Sequence, residues 1–242
     1  MAKLIDFIKL AWLLSIAIID TFIFWIPVSI AAMLSRTGRM AFQLCQVWAW
    51  FLIKAGFSRV EIKGLENVER DRSYVIIPNH VSLYDIPALL SGLGVPFRWI
   101  LKKELLKIPG FGYGLYASRN VFIDRSNRES AIASIRKGVE RLPKGVSLLF
   151  FPEGTRSPDG KLLPFKKGAF VTAIDANMPL LPVSINGSRE IMPKGSLIFK
   201  PGKIEVIIGQ PIPVDGLTIE DVPDLMERSR EAVQANLRPV EV

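Results

Sequence analysis

The sequence predicts an α/β fold, with a mixed central sheet flanked by helices, behind an N-terminal two-helix membrane anchor. Two observations support this prediction. Between Lys9 and Arg36 the only ionisable side chain is Asp20. Further along, the chain changes to short apolar runs separated by glycine, proline and charged residues, with helical patterns between several runs, as in layered α/β domains. We therefore divide the 242 residues into an anchor, residues 1–57, and an α/β domain, residues 58–242.

The first apolar stretch can lie in a bilayer in two ways. A spanning helix would place Asp20 near mid-bilayer at a cost of about 3 kcal/mol, and Pro27 would interrupt its backbone hydrogen bonds. A second uncharged stretch, Met40 to Ile53, is too short to span comfortably. Basic residues on both flanks give the positive-inside rule no preferred side. We expect a monotopic helix pair on the cytoplasmic face of the membrane. Two buried core helices of a soluble protein are a weaker alternative, because the uncharged stretch is so long.

The elements of the α/β domain follow from its apolar runs. Six runs are predicted to be strands: Tyr74–Pro78, Arg98–Leu101, Val121–Ile123, Val146–Phe151, Leu180–Ile185 and Lys203–Ile208. The segment Ser126-Asn127-Arg128-Glu129 has the pattern of a capping box and predicts a helix that begins there. Thr218 is predicted to open a final amphipathic helix.

Composition excludes several classes of protein. One cysteine cannot form an internal disulfide, and one cysteine with one histidine cannot supply an ordinary four-ligand zinc site. The hydrophobic fraction, 49%, is too high for a disordered chain. A net charge of +8 in so apolar a chain indicates an anionic partner at an apolar boundary, and phospholipid fits this better than nucleic acid.

His80 is the first candidate for chemistry, because it follows a predicted strand directly. Asp85 could open the next helix, Ile86 to Leu93, and reach back to one imidazole nitrogen, which would make His80 a general base. The structural alternative, a packed histidine and a helix-capping aspartate, is equally consistent with the spacing. Ser82 is a possible nucleophile on the same side of the chain. Cys45 lies in the anchor and is interpreted as structural.

The segment Phe151-Pro152-Glu153-Gly154-Thr155-Arg156-Ser157 is the second candidate, again at the end of a predicted strand. Gly154 permits a sharp turn and close approach of a ligand to the backbone. Thr155 offers a hydroxyl, and Arg156 offers a forked donor suited to phosphate. Glu153 is predicted to orient that arginine or a substrate hydroxyl. An ordinary turn with a surface arginine is the alternative.

Basic residues follow other predicted strands as well. Lys102 and Lys103 follow one strand and Arg125 follows another. Lys102 and Arg125 are the better candidates for a site, since strand-end loops carry the sites of this architecture. Lys166 and Lys167 are interpreted as solvated surface.

Taken together, these segments resemble the glycerolipid acyltransferase family that includes the 1-acylglycerol-3-phosphate acyltransferases. Four blocks match in order: Asn79-His80-x4-Asp85; Lys102 to Arg125, ending Val121-Phe122-Ile123-Asp124-Arg125; Phe151 to Ser157; and Leu180-Leu181-Pro182-Val183. A histidine-x4-aspartate pair is common by chance, but it is specific when Phe-Pro-Glu-Gly-Thr-Arg-Ser follows about seventy residues later. The chain departs from the family at Arg119, where the family usually has glycine.

The resemblance implies a fold like that of glycerol-3-phosphate acyltransferases and the acylation of lysophosphatidic acid to phosphatidic acid. His80 would deprotonate the sn-2 hydroxyl, with Asp85 orienting the imidazole. The substrate phosphate would be held by Lys102, Arg125, Gly154, Thr155 and Arg156. The donor would be an acyl-CoA or an acyl-carrier protein. No metal or cofactor is expected, because a thioester is already activated.

Three other functions stay open at this point. A sister acyltransferase would use glycerol 3-phosphate or another lysophospholipid. A hydrolase would use Ser82 with His80 and Asp85. A non-catalytic membrane-surface protein would bind anionic lipid through its +8 charge.

Overall fold

The computed structural model describes residues 2–35, 37–69, 71–108, 111–195 and 199–239. The helices are α1 (Ala2–Leu34), α2 (Arg39–Ala55), α3 (Asp85–Gly92), α4 (Phe111–Ala117), α5 (Arg128–Glu140), α6 (Gly168–Asp175), α7 (Ser188–Ile191) and α8 (Val222–Gln234). The strands are β1 (Arg59–Lys63), β2 (Val75–Pro78), β3 (Phe97–Lys102), β4 (Val121–Ile123), β5 (Ser147–Leu149), β6 (Leu180–Asn186) and β7 (Lys203–Ile208). Arg36, one of the basic flanks of the first apolar stretch, lies outside the described residues.

The described strands form one sheet in the order β1-β7-β6-β2-β5-β3-β4. Neighbours are parallel except β6 and β7, which are antiparallel, so the predicted mixed sheet is confirmed. Strand β2 lies between β5 and β6, and all its residues are buried. The carboxyl ends of β2, β3, β4, β5 and β6 therefore meet at one edge, where loops of such sheets assemble a site.

The sheet separates two hydrophobic cores, because successive side chains of a strand point to opposite faces. Ile76 and Leu149 face one core, which also contains buried residues of α2 and α3. Val75 and Leu148 face the other core, which contains residues of α6 and α8. The N-terminal helices and helices α5, α6 and α8 therefore lie on opposite faces of the sheet.

Helix α1 packs along α2 on one side and leaves its other side uncovered by protein. Trp12 Nε1 donates to the carbonyl of Ala55 at 3.4 Å, and Trp48 Nε1 donates to Thr21 Oγ1 at 3.3 Å. Many large apolar side chains of α1 are exposed, among them Phe7, Ile8, Ile18, Ile19, Phe22, Ile23, Ile26 and Ile30. Among the described helices only this one, over Phe7–Leu34, is long and apolar enough to cross a membrane. Helix α2 is shorter and buries Ala49 and Ile53 in the first core.

Three details of the secondary structure differ from the prediction. Strand β1 was not predicted because charged residues alternate along it and it lies at the edge of the sheet, so it forms no apolar run. The cap of α5 is Asn127, whose side chain accepts from the Ser130 N–H, and the Ser126 hydroxyl instead donates to Asp124. Thr218 caps a single 3₁₀ turn, after which α8 begins at Val222.

Candidate active site

His80 lies at a fixed point just beyond β2. The Asn79 side chain before it bridges to β6, where Nδ2 donates to the Ile185 carbonyl at 3.0 Å and Oδ1 accepts from the Ile185 N–H at 2.7 Å. The His80 carbonyl in turn accepts from the Ser157 N–H at 2.8 Å. These bonds tie the two predicted segments, one around His80 and one from Phe151 to Ser157, into one unit.

His80 and Asp85 form a direct pair. His80 Nδ1 lies 2.7 Å from Asp85 Oδ2, and the same oxygen accepts from the N–H groups of Val81 and Ser82 at 2.8 and 2.9 Å. The Asp85 side chain is fully buried, whereas 13% of the His80 side chain is exposed. A carboxylate held by three donors is an acceptor, so Nδ1 carries the proton and Nε2 is the nitrogen free to accept one. This is the geometry of an oriented general base.

Aromatic rings fix the plane of the imidazole. The Phe151 ring stacks on His80 with centroids 3.7 Å apart and planes 14° apart. The Trp99 ring in turn stacks on Phe151, and the centroids of these two rings are 5.8 Å apart. Packing and the bond to Asp85 therefore restrict both rotations of the His80 side chain. The sequence pattern marked Phe151 only as the end of a strand and gave no indication of Trp99.

Ser82 is not placed as a nucleophile. Its hydroxyl is buried, donates to the Met192 carbonyl at 2.8 Å and accepts from the Tyr84 N–H at 3.1 Å. Both interactions hold the turn that carries His80. A hydroxyl engaged in this way is not available to His80, so the geometry does not support the hydrolase alternative.

Glu153 orients backbone rather than Arg156 or a substrate hydroxyl, so that prediction is corrected. Its two carboxylate oxygens accept from the N–H groups of His80 at 2.6 Å and Leu163 at 2.9 Å. Burial raises the pKa of Glu153 to about 7, against the lowering effect of these two hydrogen bonds. The Glu153 carboxylate thereby joins the loop that carries His80 to the loop after β5. The sequence could not show this, because a partner ten residues away and another 73 residues away are set by the fold.

Cations converge around Gly154. Arg125 Nη1 donates to the Gly154 carbonyl at 3.0 Å. Gly154 has φ of +72°, and a β-carbon there would come within 2.7 Å of Lys166 Nζ. Lys194 Nζ donates to the Arg156 carbonyl at 2.6 Å and lies 3.4 Å from Thr155 Oγ1. The left-handed backbone favours glycine here, and a β-carbon would also displace the flexible end of Lys166.

Two lysines at this edge were not predicted for the site. Lys166 is exposed, as interpreted from the sequence, and the end of its side chain lies next to Gly154. Lys194 was missed, because it lies beyond the short helix α7 that follows β6 and no pattern in the sequence connects it with Gly154. Lys102 ends β3 in register with Ile123, is exposed, and makes no hydrogen bond to the site residues within the described part of the chain. Thr155 is exposed and Arg156 is partly buried.

Two cavities open near these residues, one on each face of the sheet. The larger, about 780 Å³, lies between α5 and α6 and is bounded at one end by Phe151, Gly154 and Lys166. The smaller, about 120 Å³, lies among α1, α2, α4 and β3, is largely apolar, and reaches Trp99. Among the described residues no group of three His, Cys, Asp or Glu side chains is arranged to hold a metal ion. Cys45 lines the smaller cavity, and burial raises the pKa of its thiol to about 11 despite the opposing charge of Arg98, which agrees with a structural role.

Comparison with known proteins identifies the relatives of this arrangement. The profile of the family described as Acyltransferase matches residues 59–186, which include every candidate site residue except Lys194. The chain belongs to the acyltransferase family. Within this family, the crystal structure of the 1-acyl-sn-glycerophosphate (LPA) acyltransferase PlsC from Thermotoga maritima superposes with a TM-score of 0.78 and 32% identity, over 99% of this chain and all of that one.

Several curated relatives are named 1-acyl-sn-glycerol-3-phosphate acyltransferases. The 1-acyl-sn-glycerol-3-phosphate acyltransferase of Pseudomonas aeruginosa is 33% identical over 197 residues, 81% of this chain and 76% of the relative. The chloroplastic enzyme BAT2 of Brassica napus is 39% identical over 171 residues, 70% of this chain. The aligned region spans about half the length of that plant relative (49%).

Arg119, where the resemblance implies glycine, has an unusual backbone conformation. Arg119 follows α4 and has φ of +61°, in the left-handed region that glycine adopts without strain. The backbone thus keeps the conformation that a glycine would favour, with an arginine in its place. The Arg119 side chain lies over the loop before α2, with Nη2 3.4 Å from the Ser35 carbonyl.

Proposed function

We propose that this chain transfers an acyl group from a thioester to the sn-2 hydroxyl of 1-acylglycerol 3-phosphate and so produces phosphatidic acid. The observation that carries the proposal is the His80–Asp85 pair, 2.7 Å apart, beside a cluster of cations at the same sheet edge. A base next to an anion site fits a substrate that has a hydroxyl close to a phosphate. Membership of the acyltransferase family and the names of the relatives support the same reaction.

The residues act as follows in the proposed step. His80 Nε2 accepts the proton of the sn-2 hydroxyl while the hydroxyl oxygen attacks the thioester carbon. Asp85 stabilises the imidazolium that forms, because its charge lies next to Nδ1. When the tetrahedral intermediate collapses, the carbon–sulfur bond breaks, and the imidazolium returns its proton to the leaving thiolate. The base is then regenerated, and no metal or cofactor is needed in this sequence.

The acceptor phosphate is assigned to the cations around the Gly154 turn. Arg125, Arg156 and Lys102 were predicted for this role, together with the backbone of Gly154 and the hydroxyl of Thr155. The geometry adds Lys166 and Lys194, whose ammonium groups lie at that turn. Guanidinium and ammonium groups bind phosphate through charge-assisted hydrogen bonds. The smaller apolar cavity on the opposite face of the sheet is suited to hydrocarbon.

The exposed apolar side of α1 favours a lipid acceptor over glycerol 3-phosphate. A lysophospholipid partitions into the bilayer, and an enzyme held at the interface takes it up laterally without moving its acyl chain through water. We propose that α1 and α2 form a monotopic anchor on the cytoplasmic face. Tyr113 and Tyr116 of α4 are exposed beside α1, as expected of aromatic residues at a membrane interface.

The anchor is tested by labelling full-length protein in intact cells with a membrane-impermeant thiol reagent. Leu4→Cys and Leu34→Cys place a thiol at each end of α1, where both side chains are exposed. We expect neither cysteine to react until the cells are lysed, because both ends lie in the cytoplasm. Reaction of either in intact cells would favour a spanning helix. The unsubstituted protein is the control for Cys45.

The acceptor is tested with a panel and a single acyl-CoA donor, with thiol release as the readout. We expect release that depends on 1-acylglycerol 3-phosphate and a diacyl product. Activity with glycerol 3-phosphate alone would indicate that the protein is a glycerol 3-phosphate acyltransferase. Equally fast release without any acceptor would indicate a hydrolase. Binding to anionic vesicles without thiol release would indicate a non-catalytic lipid-binding protein.

A further inference from the structure

Positive charge is concentrated at the loop that connects the two anchor helices. Helix α1 ends at Leu34 and α2 begins at Arg39. Two arginines of the α/β domain reach this loop, Arg98 of β3 and Arg119 after α4. A β-carbon on Gly38, the residue before α2, would lie 2.7 Å from Arg98 Nη2 and 3.9 Å from Arg119 Cδ. Both side chains therefore meet at the amino end of α2.

Arg98 is a buried cation without a negative partner. Only 3% of it is exposed. Its Nη1 and Nη2 donate to the carbonyls of Phe97 at 2.9 Å and Thr37 at 2.7 Å, and its Nε has no hydrogen-bond partner among the described residues. The ion pairs in the described part of the chain all involve other side chains. Burial and the charge of Arg119 lower the pKa of Arg98 to about 10, so Arg98 is still charged at neutral pH. An anion nearby would offset the cost of burying this charge.

Arg119 adds a second cation at a position where the resemblance implies glycine. Its side chain is exposed, and within the described residues its one hydrogen bond runs from Nη2 to the Ser35 carbonyl at 3.4 Å. Most N–H groups of this guanidinium are therefore available to a ligand. The backbone of Arg119 has φ of +61° and carries strain that glycine would avoid. A function of the side chain would account for an arginine at such a position.

The amino end of α2 adds a partial positive charge at the same place. Gly38 provides no side-chain cap, the first turn has no acidic residue, and the first backbone bond of the helix runs from the Phe42 N–H to the Gly38 carbonyl. The Arg39 N–H has a weak partner in the Thr37 hydroxyl, at 3.4 Å. Uncapped N–H groups at a helix start bind anions, and guanidinium groups beside them favour phosphate.

The surroundings of this cluster indicate that the anion carries hydrocarbon. Met33 and Leu34 at the end of α1 are 72% and 75% exposed, and Met40 in the first turn of α2 is exposed as well. Tyr116 of α4 is also exposed, and the hydroxyl of Tyr113 lies 3.8 Å from Met33 Sδ, so α4 belongs to the same surface. A phosphate among exposed apolar side chains is the environment of a phospholipid headgroup.

This cluster is separate from the one assigned to the acceptor phosphate. Arg98 lies in the first half of β3 and bonds to the anchor loop. Lys102, the last residue of β3, is four residues further on, roughly 13 Å along a strand. The cations around Gly154 lie beyond the carboxyl ends of the strands. A lipid held by Arg98 and Arg119 is therefore not in place for acyl transfer at His80.

We propose that Arg98, Arg119 and the amino end of α2 form a binding site for the phosphate of an anionic bilayer phospholipid, here named the hairpin site. The inference goes beyond the proposed function, because this lipid is a ligand of the anchor and is not consumed. Its phosphate offsets the charge of the two arginines and fixes the α1–α2 loop at the membrane interface. The site depends on Arg119 and is thus a property of this chain.

The test measures lipid bound to the detergent-solubilised full chain by native mass spectrometry. The probe is dioctanoyl phosphatidylglycerol, titrated into the unsubstituted protein, Arg119→Gly and Arg141→Gly. Glycine suits the backbone at residue 119, so the first variant is expected to fold. Arg141 is an exposed arginine after α5, and its variant removes the same charge elsewhere. We expect one bound lipid whose Kd rises about tenfold in Arg119→Gly and is unchanged in Arg141→Gly.

Two further arms identify the ligand. Dioctanoyl phosphatidylcholine should bind at least tenfold more weakly, and equal binding would overturn the proposal because no anion would be recognised. Inorganic phosphate at the same concentration should not displace the lipid, and displacement would assign the site to free phosphate instead. An equal loss of binding in Arg119→Gly and Arg141→Gly would also overturn the proposal, since the attraction would then be a general effect of net charge.

Kinetics and unfolding separate the hairpin site from the acceptor site. In neutral detergent the KM of Arg119→Gly for lysophosphatidic acid should equal that of the unsubstituted protein. A rise in this KM that parallels the loss of lipid binding would assign Arg119 to the acceptor and overturn the hairpin site. Phosphatidylglycerol should raise the unfolding midpoint of the unsubstituted protein more than that of Arg119→Gly, and equal shifts would contradict the proposal. The predicted binding in a protein that acylates no acceptor would support the hairpin site and remove the proposed reaction alone.

Discussion

Replacement of Asp85 by asparagine separates the charge of this side chain from its hydrogen bonds. Asp85 Oδ2 accepts from His80 Nδ1 and from the N–H groups of Val81 and Ser82, and the amide oxygen of asparagine can accept from the same three donors. The loop and the tautomer of His80 are therefore kept. The substitution removes the negative charge beside the imidazolium that forms when His80 accepts the hydroxyl proton.

The size of the effect follows from that geometry. With the His80 nitrogen 2.7 Å from the oxygen, the centres of charge are about 4 Å apart, which corresponds to about 4 kcal/mol at an effective dielectric constant of about 20. This is about a thousandfold in rate. We expect kcat of Asp85→Asn to fall about a thousandfold, with little change in the KM for the acceptor, because Asp85 does not contact the cations around Gly154.

The assay is initial-rate acyl transfer by purified protein, with Asp215→Asn as the control for an exposed aspartate. The thermal unfolding midpoint is measured beside it, because the asparagine N–H2 takes the place of Asp85 Oδ1, which is buried without a hydrogen-bond partner. A kcat within tenfold of the unsubstituted enzyme, with the fold intact, would refute the argument that the carboxylate stabilises an imidazolium.

Three further predictions concern the acceptor phosphate, the pH dependence and the backbone. Lys194→Ala should raise the KM for lysophosphatidic acid about tenfold and leave a phosphate-free monoacylglycerol unaffected; an equal loss with both acceptors would contradict a phosphate contact. The pKa of Glu153 is about 7 in the folded protein and lies near 4.5 when the side chain is exposed. Between these pH values Glu153 is protonated in the folded state and ionised in the unfolded state. Its contribution to the free energy of unfolding should therefore fall as pH rises from 5 to 7, by about 3 kcal/mol at most. Glu153→Gln should remove that component from the pH profile of thermal unfolding, and an unchanged profile would count against it. Arg119→Gly should raise the free energy of unfolding by about 1 kcal/mol, because φ of +61° strains any residue but glycine; a lower unfolding midpoint would mean that the arginine side chain contributes more than the strain costs.

The spacing of His80 and Asp85 left a catalytic pair and a packed histidine equally open, and the resemblance to the acyltransferase family decided the prediction; the two side chains lie 2.7 Å apart because the first turn of α3 follows β2 closely. The apolar runs also located the central strands, since a fully buried strand such as β2 is apolar at every residue. The edge strand β1 has charged residues on its exposed side and gave no such pattern. Apolar runs therefore identified the central strands, including the partly buried β3, β4 and β7, and among the described strands they missed only the one in which charged residues alternate.

Contacts between distant segments could not be predicted. Glu153 was predicted to orient Arg156 or a substrate hydroxyl, but it accepts from the N–H of His80, 73 residues away. Lys166 and Lys194 were not assigned to the phosphate because nothing local distinguishes a lysine at the site from a lysine on the surface. Which cations converge on Gly154 depends on the order of the strands, and that order is a property of the whole sheet.

The central claim is that His80 is the base for acyl transfer. The most direct test is the initial rate with lysophosphatidic acid and acyl-CoA for purified His80→Ala, shown to be folded by its circular dichroism spectrum. General-base catalysis contributes roughly a hundredfold to ten-thousandfold, and the buried Asp85 carboxylate makes His80 the only oriented base among the described residues of the site. The account predicts a rate at least a hundredfold below that of the unsubstituted enzyme, and a rate within a factor of ten would contradict it.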